Sequence, residues 1–314
     1  TGDPCAALLL SLSLAPDQSV TIRFTLAWGA TAESACRMAT DSLAERQASD
    51  NAIEIHTPDK ALNQWINHFA PHQIRACRVF GRTAFYQCGG AYGFRDQLQD
   101  VGALLLLEPA VARRQIARCC AVQFQEGDVL HWGQNLPQKA GGLRGVRTRF
   151  SGDLLWLPFT VAEYVERTGD TSVLDLSIRY LTAEELPSGV QEQYIAPGFS
   201  ELREDVYRHC LRALDRGCNL DDRGLPKIGC GDWNDGFSSV GREGKGVSVW
   251  LALFLAMTLD KFSAVCRLRG DKKREIDCST KADALRQAVD THCWDGEWYT
   301  RAFFDDGSPM GSKD

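Results

Sequence analysis

Two carboxylates and a tryptophan lie in a glycine-rich stretch, GCGDWNDGFSSVG, at residues 229–241. Cleavage of a glycosidic bond needs one protonated carboxyl to donate to the leaving oxygen and a second group that activates water or attacks. Asp232 and Asp235 are the candidates, and Trp233 offers a flat apolar face for a sugar ring. The alternative is a turn in which both Asp side chains cap backbone amides and Trp233 is core. The motif alone leaves both interpretations open.

A second polar group, GFRDQLQD, spans residues 93–100. Guanidinium donors and carboxylate acceptors both match neighbouring sugar hydroxyls, so Arg95, Asp96 and Gln97 could bind a saccharide. Acidic residues are also favoured at the start of an ordinary helix by the helix dipole. Considered by itself, this segment favours the helix start slightly.

A basic loop among glycines contains Lys139, Arg144, Arg147 and Arg149. Such a loop could hold a phosphate, although a solvated charge run is the commoner explanation. His131 beside Trp132 could act as a ligand or an acid–base group. Because no second histidine follows at metal-ligand spacing, no metal is predicted. The sequence also has no nucleotide-binding or nucleophile-elbow motif, so no cofactor is expected.

Composition narrows the class of protein. The 314 residues carry a net charge of -6 and are 44% hydrophobic, which indicates a globular chain of one large or two ordinary domains. The acidic balance argues against a nucleic-acid partner, and no apolar run approaches the length of a membrane helix. The twelve cysteines are scattered without a C-x-x-C pair and are interpreted as reduced thiols of a cytoplasmic protein. No signal peptide is recognised at Thr1.

The elements that would position these groups are mostly helices. Alternating apolar residues at 8–14 and 20–28, separated by a turn, predict a strand pair that would need a larger sheet. Helices are predicted at 32–47, from Thr57 as N-cap to Phe69, and near 96–107, 109–124, 152–168, 201–216, 246–267 and 280–292. Three long loops, 85–100, 126–153 and 217–236, contain the candidate residues, and long loops in compact domains are usually functional.

In this order, GGAYGFRDQLQD, HWGQNLPQKAGGLRGVRTRFSGDLLWLP and GLPKIGCGDWNDG followed by GREGKGVSVWL resemble the inverting phosphorylases of glycoside hydrolase family 94. The likeness runs over essentially the whole chain and is greatest to the branch that acts on β-1,2-glucans. It implies a mainly α fold, part of an (α/α)6 barrel preceded by β-sandwich strands and linker helices. The domains would then be 1–30 (sandwich strands), 31–72 (linker helices) and 73–314 (the N-terminal part of the barrel).

The resemblance also implies a reaction and a set of residues. Inorganic phosphate would cleave a β-glucosidic bond with inversion and release α-glucose 1-phosphate. The general acid would be Asp235, and Asp232 would organise the loop. Arg95 and Asp96 would hold the donor glucose beside Trp233. The predicted substrate-binding set is Arg95, Asp96, Gln97, His131, Arg147, Asp153, Trp233 and Asn234, with a β-glucan oligosaccharide and phosphate as partners. A homodimer is also allowed.

Some features depart from the family's pattern. Gly90 stands where disaccharide phosphorylases carry an arginine, which favours the β-1,2-glucan branch. Ser151, Gly152 and Asp153 replace the branch's common S-D-D. The family's phosphate-binding His and Thr would lie beyond the equivalent of residue 314. Two alternatives therefore stay open: an inverting hydrolase in which Asp153 or Glu126 activates water, and a non-catalytic sugar-binding module of a glucan synthase.

Overall fold

The computed structural model describes residues 8–22, 24, 27, 29–47, 54–81, 91–136 and 142–313. The chain divides into two compact units, Thr1–Ala52 and Ile53–Asp314. Because this division does not test the predicted boundaries at residues 30 and 72, they remain a prediction.

The first unit contains one helix, α1 (Ala32–Gln47), within its described residues, as the sequence predicted. Thr31 caps it: the amide of Ser34 donates to Thr31 Oγ1 and the amide of Thr31 donates to Ser34 Oγ, both at 3.1 Å. The predicted strand pair is not found in the described part of residues 8–28, which contains a turn at Pro16 and Asp17 but no strand. The leucines at 8, 10, 12 and 14 are exposed.

The second unit opens with a helical segment of alternating character. The α-helical pieces α2 (Lys60–Gln64) and α3 (Ala70–Gln73) alternate with π-helical pieces at Trp65–Phe69 and Ile74–Phe80. Asp59, and not the predicted Thr57, is the N-cap, since its carboxylate accepts from the amides of Ala61 and Leu62. The hydroxyl of Thr57 instead accepts from the amide of Asp59.

Six longer helices build the core: α4 (Phe94–Gly102), α5 (Pro109–Cys120), α6 (Trp156–Thr168), α7 (Val206–Gly217), α8 (Val249–Leu268) and α9 (Lys272–His292). The predicted helix at 201–216 was wrong in its first turn, because residues 201–205 belong to a strand. α9 begins eight residues before its predicted start. Asp271 caps it by accepting from the amide of Arg274 at 3.1 Å.

Short antiparallel strands stand between the helices. Four of them pair in the order β1 (Tyr92–Gly93), β2 (Leu130–Asn135), β3 (Leu143–Thr148) and β5 (Glu192–Ile195). β4 (Ser177–Thr182) pairs with β6 (Gly198–Asp205). The third sheet orders β7 (Val247–Ser248), β8 (Ala302–Phe303) and β9 (Pro309–Met310). The segment 126–153, predicted as one long loop, therefore contains the β2–β3 pair.

α8 crosses the core and packs along α9 and α6. Among the described helices it is the one long and apolar enough to cross a membrane by length and composition, and 67% of its most apolar window is buried inside the protein. The prediction that this segment is buried in a helical assembly is confirmed. The core around it places the first turns of α4 and α8 and the loop 228–246 in one neighbourhood.

Candidate active site

Asp232 anchors the loop 228–246. Its carboxylate accepts a hydrogen bond from Arg301 Nη2 at 2.9 Å and lies 2.7 Å from Arg301 Nη1 in an ion pair. It also accepts from the hydroxyl of Ser248, the N-cap of α8. The amide of Asn234 also donates to it, at 2.8 Å. Burial alone would raise the pKa of the Asp232 carboxyl, but these bonds outweigh burial and lower it. Asp232 is therefore a buried, ionised carboxylate that connects the loop 228–246 to Arg301 and to the start of α8.

The backbone of this loop passes too close to its neighbours for larger residues. A Cβ at position 231 would lie 2.2 Å from the ring of Phe150, and one at position 229 would lie 1.9 Å from the carbonyl oxygen of Arg149. Gly229 also has a positive φ of 63°. The glycines of the stretch thus allow the loop to pack against the chain that follows β3.

Asp235 lies at the rim of the same loop, and its side chain is 60% exposed. Its Oδ1 accepts from Arg95 Nη2 at 2.8 Å, while Arg95 Nη1 donates to the backbone oxygen of Asp232 at 3.0 Å. The Arg95 guanidinium stands 5.9 Å from the centre of the Trp233 ring, which is half exposed. Arg95, in the first turn of α4, thereby brings α4 and the loop 228–246 together.

A histidine–aspartate pair lies on the other side of Arg95. The buried carboxylate of Asp153 contacts Arg95 Nη1 at 3.4 Å and His131 Nδ1 at 2.6 Å. His131, on β2, stacks on Phe150 with ring centres 4.4 Å apart. Burial lowers the pKa of His131, but the hydrogen bond to Asp153 and the charges of Asp153 and Asp235 raise it on balance.

The structure thus brings together Arg95, His131, Asp153, Trp233 and Asp235 of the predicted residues; we call these five the Arg95 cluster. Asp96 is half-buried, faces Arg78 at 3.8 Å and folds back over Gly93, where a Cβ would lie 1.8 Å from its carboxylate oxygen. Asn234 uses its side-chain oxygen within the loop, accepting from the amide of Gly236 at 2.9 Å.

Two of the predicted substrate-binding residues are instead held inside the protein. Gln97 is 2% exposed and donates to the backbone oxygen of Arg78 at 2.8 Å, because it points to the core side of α4. Arg147 is 1% exposed, and Asp128, Glu126 and the carbonyl oxygens of residues 183 and 184 accept all of its N–H donors. Arg147 therefore has no donor left for a phosphate.

The sequence profile described as "Glycosyl hydrolase 94 superfamily, catalytic domain" matches residues 47–314, and these residues include every member of the Arg95 cluster. The chain belongs to this family.

Curated relatives within the family include both a synthase and phosphorylases. The chain is 44% identical over 263 residues to the cyclic beta-(1,2)-glucan synthase NdvB of Rhizobium meliloti, covering 83% of this chain and 9% of that protein. It is 30% identical to the cellobionic acid phosphorylase of Neurospora crassa, covering 88% of this chain and 32% of the relative. The N,N'-diacetylchitobiose phosphorylase of Vibrio furnissii is 26% identical, with 83% and 33% covered. The chain thus spans a third or less of these relatives.

Among solved structures, the chain resembles a GH78 family rhamnosidase of Bacillus sp. GL1. The TM-score is 0.53 with 15% sequence identity, and the match covers 82% of this chain and 23% of the rhamnosidase. This likeness supports a shared fold.

Sequence reasoning missed three residues of the site. Arg301 and Ser248 hold Asp232, and Phe150 supports His131. No spacing rule connects them to the motif, since Arg301 follows Asp232 by 69 positions. Within the described residues, no group of three His, Cys, Asp or Glu side chains could hold a metal ion.

Chemically, the Arg95 cluster combines one exposed carboxylate, one buried carboxylate, a guanidinium and an imidazole around an exposed aromatic face. The exposed carboxylate can exchange a proton with a bound molecule, whereas the buried one is committed to Arg95 and His131. A site of this type can bind hydroxyl groups and protonate an oxygen atom next to Trp233.

Proposed function

We propose that the chain contributes the proton donor and the donor-sugar contacts of a glycoside phosphorylase acting on β-1,2-linked glucooligosaccharides. The observation that carries the proposal is the position of Asp235, exposed beside Trp233 and held by Arg95. Family membership supports a glycoside-active enzyme, and the 44% identity to a β-(1,2)-glucan synthase, against 26–30% for the phosphorylases above, favours the β-1,2 linkage.

In the proposed reaction, Asp235 gives its proton to the glycosidic oxygen as the bond from that oxygen to the sugar carbon breaks. Inorganic phosphate attacks the same carbon from the opposite face, so the configuration inverts and α-glucose 1-phosphate forms. A hydroxyl of the bound glucose would take over one Arg95 donor, which frees the Asp235 carboxylate from its ion pair and lets it take up from water the proton that it then donates. Phosphate is the co-substrate and no cofactor takes part.

The neighbours of Asp235 have supporting parts in this proposal. Trp233 would stack on the glucose ring, and Asp96 and Asn234 would contact its hydroxyls. His131 and Asp153 would hold Arg95 in place, since Asp153 touches both. We also propose that the helices form part of an (α/α)6 barrel and that the protein acts in the cytoplasm, where phosphate and sugar phosphates are available.

The test is a reaction with protein expressed from the complete gene. β-1,2-linked glucooligosaccharides are incubated with and without inorganic phosphate, and the product is identified by NMR. We expect phosphate-dependent α-glucose 1-phosphate from the glucan, and little or no sugar 1-phosphate of any kind when N,N'-diacetylchitobiose replaces it. The absence of any phosphate-dependent product would refute the proposal.

Two other outcomes would identify the alternatives. Free glucose formed without phosphate would indicate an inverting hydrolase, with Asp153 as the base that activates water. The structure disfavours this, because both oxygens of Asp153 are engaged, and Glu126 is paired with Arg147. Oligosaccharide binding without any turnover would indicate a sugar-binding module.

A further inference from the structure

Residues 301–310 form a hairpin made of Arg301, β8, the turn 304–308 and β9; we call it the clamp hairpin. β8 pairs with β7, which directly follows the loop 228–246 and leads into α8. The two ends of that loop are joined as well, since the amide of Ile228 donates to the oxygen of Gly246 at 2.9 Å. The clamp hairpin thus lies against the base of the loop that carries Asp235.

Arg301 makes the first attachment of the hairpin to the loop. Its guanidinium binds both oxygens of Asp232, contacts Ser248 Oγ at 3.2 Å and lies 4.7 Å from the centre of the Phe237 ring. The backbone oxygen of Asp232 in turn accepts from Arg95. A two-pronged guanidinium–carboxylate pair fixes orientation as well as distance, so Arg301 sets where the Arg95–Asp235 pair stands.

Asp305 makes the second attachment, at the far end of the loop. Its carboxylate accepts from the amides of Glu243, Lys245 and Gly246, each at 2.8 Å. Three amides converging on one carboxylate form an anion cradle, and here the anion belongs to the clamp hairpin. These bonds lower the pKa of Asp305 against the effect of burial, so the carboxylate is ionised at neutral pH.

An apolar cluster lies between the two attachments. Ile228 and Val240 of the loop pack with Ala302 of the hairpin, and Phe237, Phe304 and Met310 are partly buried against them. This small cluster is separate from the main core, so the loop does not depend on the helices alone for its shape. The hairpin therefore holds the loop at Asp232, at the apolar cluster and at residues 243–246, in addition to the contacts that the loop makes with Arg95 and with the chain after β3.

We propose that the clamp hairpin positions the proton donor, with Arg301 and Asp305 as positioning residues that act on turnover through Asp235 without touching the substrate. This inference rests on the proposed function for its kinetic part. Its structural part, that the hairpin orders the loop 228–246, can be measured on the chain whether or not that function is correct.

The structural test is hydrogen exchange of the loop, followed by mass spectrometry. In Asp305→Asn, the peptide covering residues 240–246 should exchange at least tenfold faster, while peptides of α5 and α6 stay unchanged. Asp306→Asn is the matched control, because Asp306 is the neighbouring carboxylate and accepts only from Ser308 in its own turn within the described residues. Unchanged exchange in Asp305→Asn would overturn the inference.

The kinetic test uses the protein from the complete gene and the phosphorolysis assay. Arg301→Gln and Asp305→Asn should lower kcat at least tenfold and change KM less than threefold, whereas Asp306→Asn should match the wild type. Because Arg301→Gln leaves Asp232 buried without its partner, thermal unfolding must show that it folds; Asp305→Asn provides the test if it does not.

A double-substitution cycle separates positioning from general damage. In an Asp235→Asn background, Asp305→Asn should lower the residual kcat less than threefold, because the group that it positions is already absent. If Asp305→Asn lowered kcat by the same factor in both backgrounds, Asp305 would act independently of Asp235, and the kinetic part of the inference would be overturned. If the wild type gives no phosphate-dependent product, the proposed function fails, and hydrogen exchange still decides the role of the hairpin.

Discussion

Two arginine clusters of similar composition serve different ends in this molecule. Arg95 meets Asp153 and Asp235 beside an aromatic ring, and Arg147 meets Asp128 and Glu126 over the ring of Phe124, 3.9 Å away. Around Arg147 the guanidinium is saturated and the aromatic ring is fully buried. Around Arg95, one carboxylate and the Trp233 ring are exposed.

The difference teaches that residue types alone do not identify a functional cluster. Both arginines lie in glycine-rich segments with aromatic neighbours, and both were predicted to bind substrate. What separates them is the arginine's surroundings: every N–H donor of Arg147 is used inside the protein, whereas Arg95 pairs with a carboxylate, Asp235, that is 60% exposed. A saturated buried ion pair stabilises structure, whereas an open one can exchange its partner for a ligand.

The largest effect should come from the open carboxylate. Asp235→Asn removes the proposed acid, so turnover in phosphorolysis should fall by about 10²- to 10⁴-fold. Because the Asp235 carboxylate is 60% exposed, and the buried Arg95 keeps its contacts with Asp153 and the backbone oxygen of Asp232, the free energy of unfolding should change by only about 1 kcal/mol. Steady-state kinetics and urea unfolding check the two parts, and near-normal turnover would remove Asp235 from the mechanism.

Arg147→Met should do the reverse of Asp235→Asn: it should lower stability and leave turnover largely intact. It leaves Asp128 buried without its cation, so the free energy of unfolding should fall by about 3–5 kcal/mol. Urea unfolding measures this, with Arg242→Met as the control because Arg242 is exposed. Folded Arg147→Met protein should keep most of its turnover. Loss of turnover at unchanged stability would restore Arg147 as a ligand-binding residue.

The helical content and the loop at 229–236 could be predicted from the sequence, whereas the short strands and the pairings between distant segments could not. α1 was predicted to the residue, because the change to helical character after Gly29 is a local signal. The strands β2 and β3 were missed because their short, half-polar segments look like loop. The burial of Gln97 was not predicted, because one helical position decides whether a side chain faces core or cleft. Arg301 was missed because its contact joins distant parts of the chain.

Two histidines extend the comparison to pH. His209 is fully buried, with Nδ1 2.7 Å from Gln123 Oε1, and burial lowers its pKa to about 4. As pH falls below about 6.5, the unfolded chain takes up a proton that His209 in the folded protein does not accept until about pH 4. Stability should therefore fall over this range, by up to about 3 kcal/mol.

His131 in the Arg95 cluster should act in the opposite direction. Because the pKa of His131 is raised, the folded protein holds the proton more tightly than the unfolded chain does. Its contribution to stability is therefore present in full below about pH 6.5 and is lost as the pH rises through the pKa of the folded state. Urea unfolding from pH 4 to 8 of the wild type, His209→Gln and His131→Gln measures both. In His209→Gln, the free energy of unfolding should fall less between about pH 6.5 and about pH 4 than it does in the wild type. The same fall in both proteins would show that His209 does not cause it.

The smallest expected effect comes from replacing the aromatic ring beside each arginine, Trp233 near Arg95 and Phe124 under Arg147. Trp233→Leu should raise KM for the oligosaccharide a few-fold, equivalent to about 0.5–1 kcal/mol, because one stacking face is lost. It should leave the stability unchanged, since the ring is half exposed. Phe124→Leu is the matched substitution under Arg147; it should lower stability by about 1 kcal/mol and leave KM unchanged. If both substitutions changed stability and neither changed KM, Trp233 would be packing like Phe124, and the open character of the Arg95 cluster would then rest on Asp235 alone.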